Sequence, residues 1–231
     1  MESTMAQTTG KDADVQEMID AFEERGVVYS LLSRLYAREV DQETLDDLCE
    51  TLYPAEDEDC LSAEGYRLIA TYLSNIWDES VTELSVDYAN CFLGKGVDSF
   101  TAAYLNESVY TSEKRLLMQE ARVEVLAAYR SAGFVKAEEW HDGEDHIALE
   151  LDFMRVLNNQ AIDALKQGNE RKAVRIVKKQ LEFLQRHLVS WVPMMTADLK
   201  KFARTDLYRG LAFLTEGFLW SDRAFLAGLL S

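Results

Sequence analysis

The chain has 231 residues, enough for one large domain or two small ones, and 48% of them are hydrophobic. Its formal net charge is −17, with 24 acidic and 6 basic side chains in residues 1–110 alone. That balance argues against a nucleic-acid or anionic-membrane binder, because phosphate contacts are built from Lys and Arg.

Only 2 prolines and 11 glycines interrupt the sequence, which favours long helices over many short strands. Residues 1–12 are polar and without periodicity, and read as a disordered tail. From Val15 to Val40, apolar residues such as Met18, Ile19, Phe22, Tyr29, Leu32 and Tyr36 recur at helical spacing. A second helix is expected over 42–53, closed by Pro54, a third over 62–77 and a fourth over 81–93, stopped by Gly94-Lys95-Gly96. Residues 94–110 lack a period but carry Phe100, Tyr104 and Tyr110, so they are expected to pack on the surface. Thr111 or Ser112 then caps a helix that ends at Gly133.

The polar connection 134–143 is the one plausible hinge. After it come helices over 145–167, 170–190, 194–203 and 206–229. In 170–190, Ala173, Val177, Leu181, Leu184 and Leu188 form the core stripe, while Arg171, Lys172, Arg175, Lys178 and Lys179 form a basic face that could pair with the acidic half. The expected architecture is all-α, one globular domain of nine to ten helices over 13–231. Its sub-parts, 13–132 and 144–231, are joined by the hinge 133–143.

Catalytic chemistry finds little support. Cys49, Cys60 and Cys91 are odd in number and lack a C-x-x-C spacing, which argues against a disulfide framework or zinc site and suits a reducing compartment. Three histidines and a single Glu-x-x-His spacing (Glu138 to His141) are too few for a di-iron bundle. Gly94-Lys95-Gly96 lacks the first glycine and the hydroxyl of a phosphate loop, and no Gly-x-Ser-x-Gly elbow occurs. No catalytic residue, metal or cofactor is expected. Neither a signal peptide nor an apolar run long enough to span a membrane is seen, so a cytoplasmic location is expected.

The most informative stretch is Asp142 to Met154, where an Asp-His pair opens a helix that is apolar on nearly every side. Such a helix is central and buried. His146 and Glu150 lie one turn apart and share a face. Taken alone, they read as a satisfied structural pair. Trp77, Trp140, Trp191 and Trp220, with Met118, Met154, Met194 and Met195, could line an adaptable groove for an apolar peptide, or serve as core.

Several segments, in order, resemble the TorD/DmsD family of redox-enzyme maturation chaperones. Asp145-His146 followed by Glu150-Leu151-Asp152-Phe153-Met154 is similar to the family's E-P-x-D-H segment and the helix after it, with Gly143 where proline is common. Asp87-Tyr88 through Cys91-Phe92-Leu93-Gly94, Glu107-Ser108-Val109-Tyr110 with Leu116-Leu117-Met118, Phe183 through His187-Leu188, Trp191 and Pro193, and Leu207-Tyr208 extend the likeness over roughly 85–215. The resemblance implies a helical cytoplasmic chaperone that binds the twin-arginine leader, and sometimes the body, of a molybdopterin-dependent oxidoreductase subunit. It would hold that subunit back from export until its cofactor is loaded. Asp145 and His146 carry over as leader-binding or hinge residues. Trp140, Met154, Glu150 and Tyr110 complete the candidate peptide-binding set. Partners are thus the apo catalytic subunit and its leader, with the chaperone a monomer or a dimer, for which the hinge would permit domain swapping. The alternatives are a nitrate-reductase-type assembly chaperone for a non-exported subunit, a structural adaptor with no client leader, and a helical metal- or cofactor-dependent enzyme.

Overall fold

A computed structural model describes residues 2–51, 61–94 and 101–231, with side chains from residue 13 onward. Among them are ten α-helices: α1 Glu2–Ala37, α2 Gln42–Glu50, α3 Leu61–Leu73, α4 Ser80–Tyr88, α5 Glu107–Thr111, α6 Glu120–Ser131, α7 Ile147–Lys166, α8 Glu170–Phe183, α9 Val192–Phe202 and α10 Asp206–Gly228. Two π-helical turns, Ala89–Leu93 and Leu184–Leu188, continue α4 and α8. The described residues contain no strand, only an isolated antiparallel bridge between Asn106 and His146. None of the described helices is long and apolar enough to cross a membrane.

The all-α, single-domain expectation holds. The tail expected over 1–12 is described only by its backbone, as the start of α1. Pro54, Cys60, Lys95, Gly96 and Phe100 lie outside the described residues. Gly133 and Gly168 end α6 and α7 at φ +71° and +66°, where a Cβ would be strained. Asp41, Asn169 and Thr205 each accept a backbone N–H to cap α2, α8 and α10.

One expected helix is wrong. The segment 111–131 does not run continuously from a Thr111 or Ser112 cap. Instead α5 begins at Glu107 and ends at Thr111, and the extended backbone of Ser112 (ψ 144°) leaves the helix. The chain then takes left-handed conformations at Arg115 (φ 48°) and Met118 (φ 61°) before α6 starts at Glu120. Tertiary anchors override local propensity here: Ser108 Oγ accepts the Gln119 N–H at 3.1 Å, and Asp145 holds the start of α5.

The two halves of the chain interleave. α1 lies along α7 and α3 lies along α10. The second contact is close because both helices place glycine there. A Cβ on Gly65 would come within 2.4 Å of the Leu214 nitrogen, and one on Gly210 within 2.7 Å of the Gly65 carbonyl. The connection 133–143 is tied to both sides. Phe134 packs edge-on against Tyr129 and Phe153, and Lys136 pairs with Glu144 at 3.0 Å.

α7 is the centre of the core, as its all-round apolar sequence implies, and thirteen of its residues are buried. A polar network crosses the same core. Arg25 of α1 forms a two-pronged ion pair with Asp222 of α10 and donates to Asn158 Oδ1 of α7 (2.7 Å) and Gln180 Oε1 of α8 (2.9 Å). Tyr29 donates to Asp222 at 2.6 Å, and the guanidinium lies over the Phe22 and Phe225 rings. Four helices are thereby locked through one buried cation.

Candidate functional site

Asp145 is fully buried and acts on α5 rather than on solvent. Its Oδ2 accepts the Ser108 N–H and its carbonyl accepts the Glu107 N–H, both at 2.9 Å. A carboxylate there satisfies otherwise orphaned donors and complements the helix dipole. Oδ1 has no hydrogen-bond partner. A Cβ at Gly143 would come within 2.8 Å of that oxygen. The lack of a side chain at Gly143 therefore leaves room for this carboxylate.

His146 caps α7: its Nδ1 accepts the Ala148 N–H at 3.2 Å. Burial pushes the imidazole pKa down to about 3, so the ring is neutral at physiological pH with Nδ1 unprotonated. Trp140 meets that ring edge-on at 5.0 Å and is half-buried, its indole N–H without a partner.

Glu150, one turn into α7, is also fully buried. Its Oε2 accepts from Trp191 Nε1 at 3.2 Å. Burial, and then the Glu107 and Asp145 charges, push its carboxyl well above the usual range. Glu107 is raised by burial too, offset by His187, whose Nδ1 stands 3.0 Å from Glu107 Oε2. Tyr110 stacks on Trp191 at 5.7 Å and donates to Asp198 at 3.2 Å. The sequence-derived residues thus converge on one node with two exceptions of placement: Met154 is fully buried in the core, and Trp140 reaches the node only through His146.

A pocket of about 340 Å³ opens beside this node, between α6, α7 and α8. Phe153, Leu157, Phe183, Ala127 and Ala128 supply its apolar lining, and Glu124, Glu182, Lys179 and Arg186 its charged rim. His187 belongs to both places: it lines the pocket and reaches Glu107. The π-helical turn Leu184–Leu188 makes this possible by widening the helix where Arg186 faces out and His187 faces in. Chemically, the pocket offers two carboxylates and two cations around an apolar floor. No group of His, Cys, Asp and Glu among the described residues is placed to hold a metal ion.

The pocket carboxylates Glu124 and Glu182 were not legible as site residues, since each sits on a helix face that reads as ordinary solvated surface. Glu107, His187 and Trp191 did carry a signal, because each falls inside a family-like motif. The basic face of α8 forms no ion pair with the acidic half among the described residues: Arg175 donates to the Arg171 carbonyl and Lys179 to the Ser131 carbonyl.

A family model described as nitrate reductase delta subunit matches residues 56–197, more than half of the chain. A TorD chaperone of Aliivibrio salmonicida is 27% identical over 217 residues, covering 91% of this chain and 98% of its own. TorD chaperones of Photobacterium profundum and Vibrio cholerae are each 28% identical, over 221 and 224 residues, covering 93% and 94% of this chain and 99% and 98% of theirs. These relatives are named as chaperones, in agreement with the expectation that this chain is not an enzyme. The chain belongs to the nitrate reductase delta subunit family, and the TorD likeness drawn from its motifs stands.

Proposed function

We propose that this protein is a cytoplasmic maturation chaperone for a molybdopterin-dependent oxidoreductase subunit. It binds the subunit's twin-arginine leader and keeps the subunit from export until the cofactor is loaded. The observation that carries this reading is the pocket between α6, α7 and α8, which sets Glu124 and Glu182 at the rim of an apolar floor. A leader combines paired arginines with an apolar stretch, and Arg–carboxylate contacts can be bidentate. Phe153, Leu157 and Phe183 receive the apolar part.

Asp145 and His146 then act from beneath. Both are buried, so their part is to set the positions of α5 and α7, and hinge motion at 133–143 would pass through them. Trp140, Tyr110 and Glu150 support the same node, with Met154 filling the core behind the pocket floor.

Calorimetric titration with a synthetic leader tests the proposal. Saturable binding that weakens as salt rises is expected, and so is weaker binding by Glu124→Gln, Glu182→Gln and Asp145→Ala. Absence of binding, or affinity indifferent to all three substitutions, would overturn it. A second reading, assembly of a non-exported nitrate-reductase-type subunit, draws on the description of the matched family. Preference for the folded subunit over its isolated leader would favour that alternative.

A further inference from the structure

The rim of the pocket is not empty of guanidinium. Arg186, on the π-helical turn after α8, reaches across to Glu124 on α6 with its Nη2 2.9 Å from Oε1 and its Nε 3.2 Å from Oε2. This is the parallel, two-bond geometry by which a guanidinium recognises a carboxylate. Both residues line the pocket, and both side chains keep 57% and 36% of their surface in water, so the contact is accessible from outside. Glu182, one turn before Arg186 and also on the rim, has no ion-pair partner among the described residues.

We infer that Arg186 is an internal competitor for the peptide arginine: it occupies the Glu124 carboxylate that a bound guanidinium uses, and binding displaces it toward Glu182. This inference rests on the leader-binding reading and adds to it which carboxylate takes an arginine and what sets the threshold for binding. The exchange is isoelectric. One guanidinium replaces another on Glu124, and the displaced one finds a second carboxylate a helical turn away. A lysine-bearing peptide offers a single point charge in place of the two-pronged contact, so it competes poorly against Arg186. The closed pair thus filters for arginine.

Titration calorimetry on the full chain tests this with two probes, a synthetic twin-arginine leader and benzylguanidinium. Arg186→Gln is expected to tighten leader binding about three- to fivefold, the scale of an exposed ion pair. Arg186→Lys, which keeps the charge but loses the fork, should tighten it by a smaller factor. Lys179→Gln removes a neighbouring rim cation that does not touch Glu124, and should change affinity less than either. Glu182→Gln should weaken binding in the wild-type background and lose that effect when combined with Arg186→Gln. Thermal unfolding of each variant checks that the fold is kept.

Leader affinity that is unchanged or weaker in both Arg186 variants, or equal gains from Lys179→Gln and Arg186→Gln, overturns the competition while leaving the leader reading intact. A leader that binds no variant, with benzylguanidinium still tighter on Arg186→Gln, keeps the competition and removes the leader. Failure of both probes overturns both.

Discussion

Two buried polar clusters lie in this fold, and they are compensated in opposite ways. Around Arg25 the charges balance: the guanidinium meets Asp222, Asn158 and Gln180, with Tyr29 closing the far side. Around Glu150 three carboxyl groups crowd together, Glu107, Asp145 and Glu150, with only His187, Trp191 and backbone N–H groups to meet them. Asp145 Oδ1 and Glu150 Oε1 have no hydrogen-bond partner, whereas both Asp222 oxygens are engaged and the Arg25 cluster leaves only the neutral Gln180 Nε2 unpaired. A balanced cluster fixes helices to one another. An acidic cluster with orphan oxygens, placed next to a pocket, costs stability that the fold retains only where something else is gained.

The largest test of that contrast is removal of one partner from the balanced cluster. Asp222→Ala leaves a buried, unpaired guanidinium, and should destabilise the protein by about 3–5 kcal/mol, read as a lower urea midpoint. A smaller loss is expected at the edge of the acidic cluster. Asp145→Ala frees the Ser108 N–H from its acceptor, and should cost about 1–3 kcal/mol. Hydrogen exchange should locate that loss at the start of α5. If Asp145→Ala proved as damaging as Asp222→Ala, the distinction between the two clusters would collapse.

How far the sequence foretold these clusters depends on whether their parts are near one another in the chain. α7 was legible because its apolar residues go all the way round, which only a central helix tolerates. The Asp145-His146-Glu150 node was legible because its members lie within six positions and inside one motif. The Arg25 network was not. Arg25 and Tyr29 come from α1, and the other three helices contribute one residue each at 133 to 197 positions from Arg25, with no local period to mark any of them. The loop 112–119 was misread as helix for the same reason, since Ser108, Gln119 and Asp145 fix it through contacts that spacing does not record. The pocket fell between these cases. Its floor residues, Phe153, Leu157 and Phe183, read as core, and its carboxylates, Glu124 and Glu182, read as surface, so neither set announced a site.

A sharper probe of the acidic cluster is Glu150→Gln. The carboxyl of Glu150 is pushed up in the folded protein, mainly by burial and then by Glu107 and Asp145. Its unfolded value is about 4.3. The fold therefore holds the proton more tightly than the unfolded chain does. Stability from this group is fully present below about pH 4 and is lost as pH rises toward the folded value. Glutamine does not titrate, keeps an oxygen for Trp191 Nε1 and offers Glu107 an N–H. The variant should match the wild type near pH 4 and exceed it at neutral pH, with the gap widening as pH rises. Chemical denaturation at several pH values measures it. A variant less stable than wild type at pH 7 would mean that the ionised carboxylate is favoured in the fold, and the contrast with the Arg25 cluster would be lost.

The smallest expected effect lies at the connection that leads into the node, and its pH dependence has the opposite sign. Glu144 meets Arg122 and Lys136, and the Arg122 hydrogen bond, then that of Lys136, bring its carboxyl down to about 2. A depressed carboxyl contributes stability above its unfolded value and loses it as pH falls from about 4 through about 2. Arg122 keeps a third of its side-chain surface in water, so solvent screening limits the pair, and Glu144→Gln should cost no more than about 1 kcal/mol at neutral pH. That cost should shrink with added salt and vanish near pH 2, where the Glu150→Gln difference has already gone. Two carboxyls six positions apart, one lowered by cations and one raised by other carboxyls, would then give stability curves that diverge in opposite senses as pH rises: the Glu144→Gln variant falling below wild type and the Glu150→Gln variant rising above it. Parallel curves would mean that the cations at 122 and 136 reach Glu150 as well, and that the acidic node is less isolated from its surroundings than its burial implies.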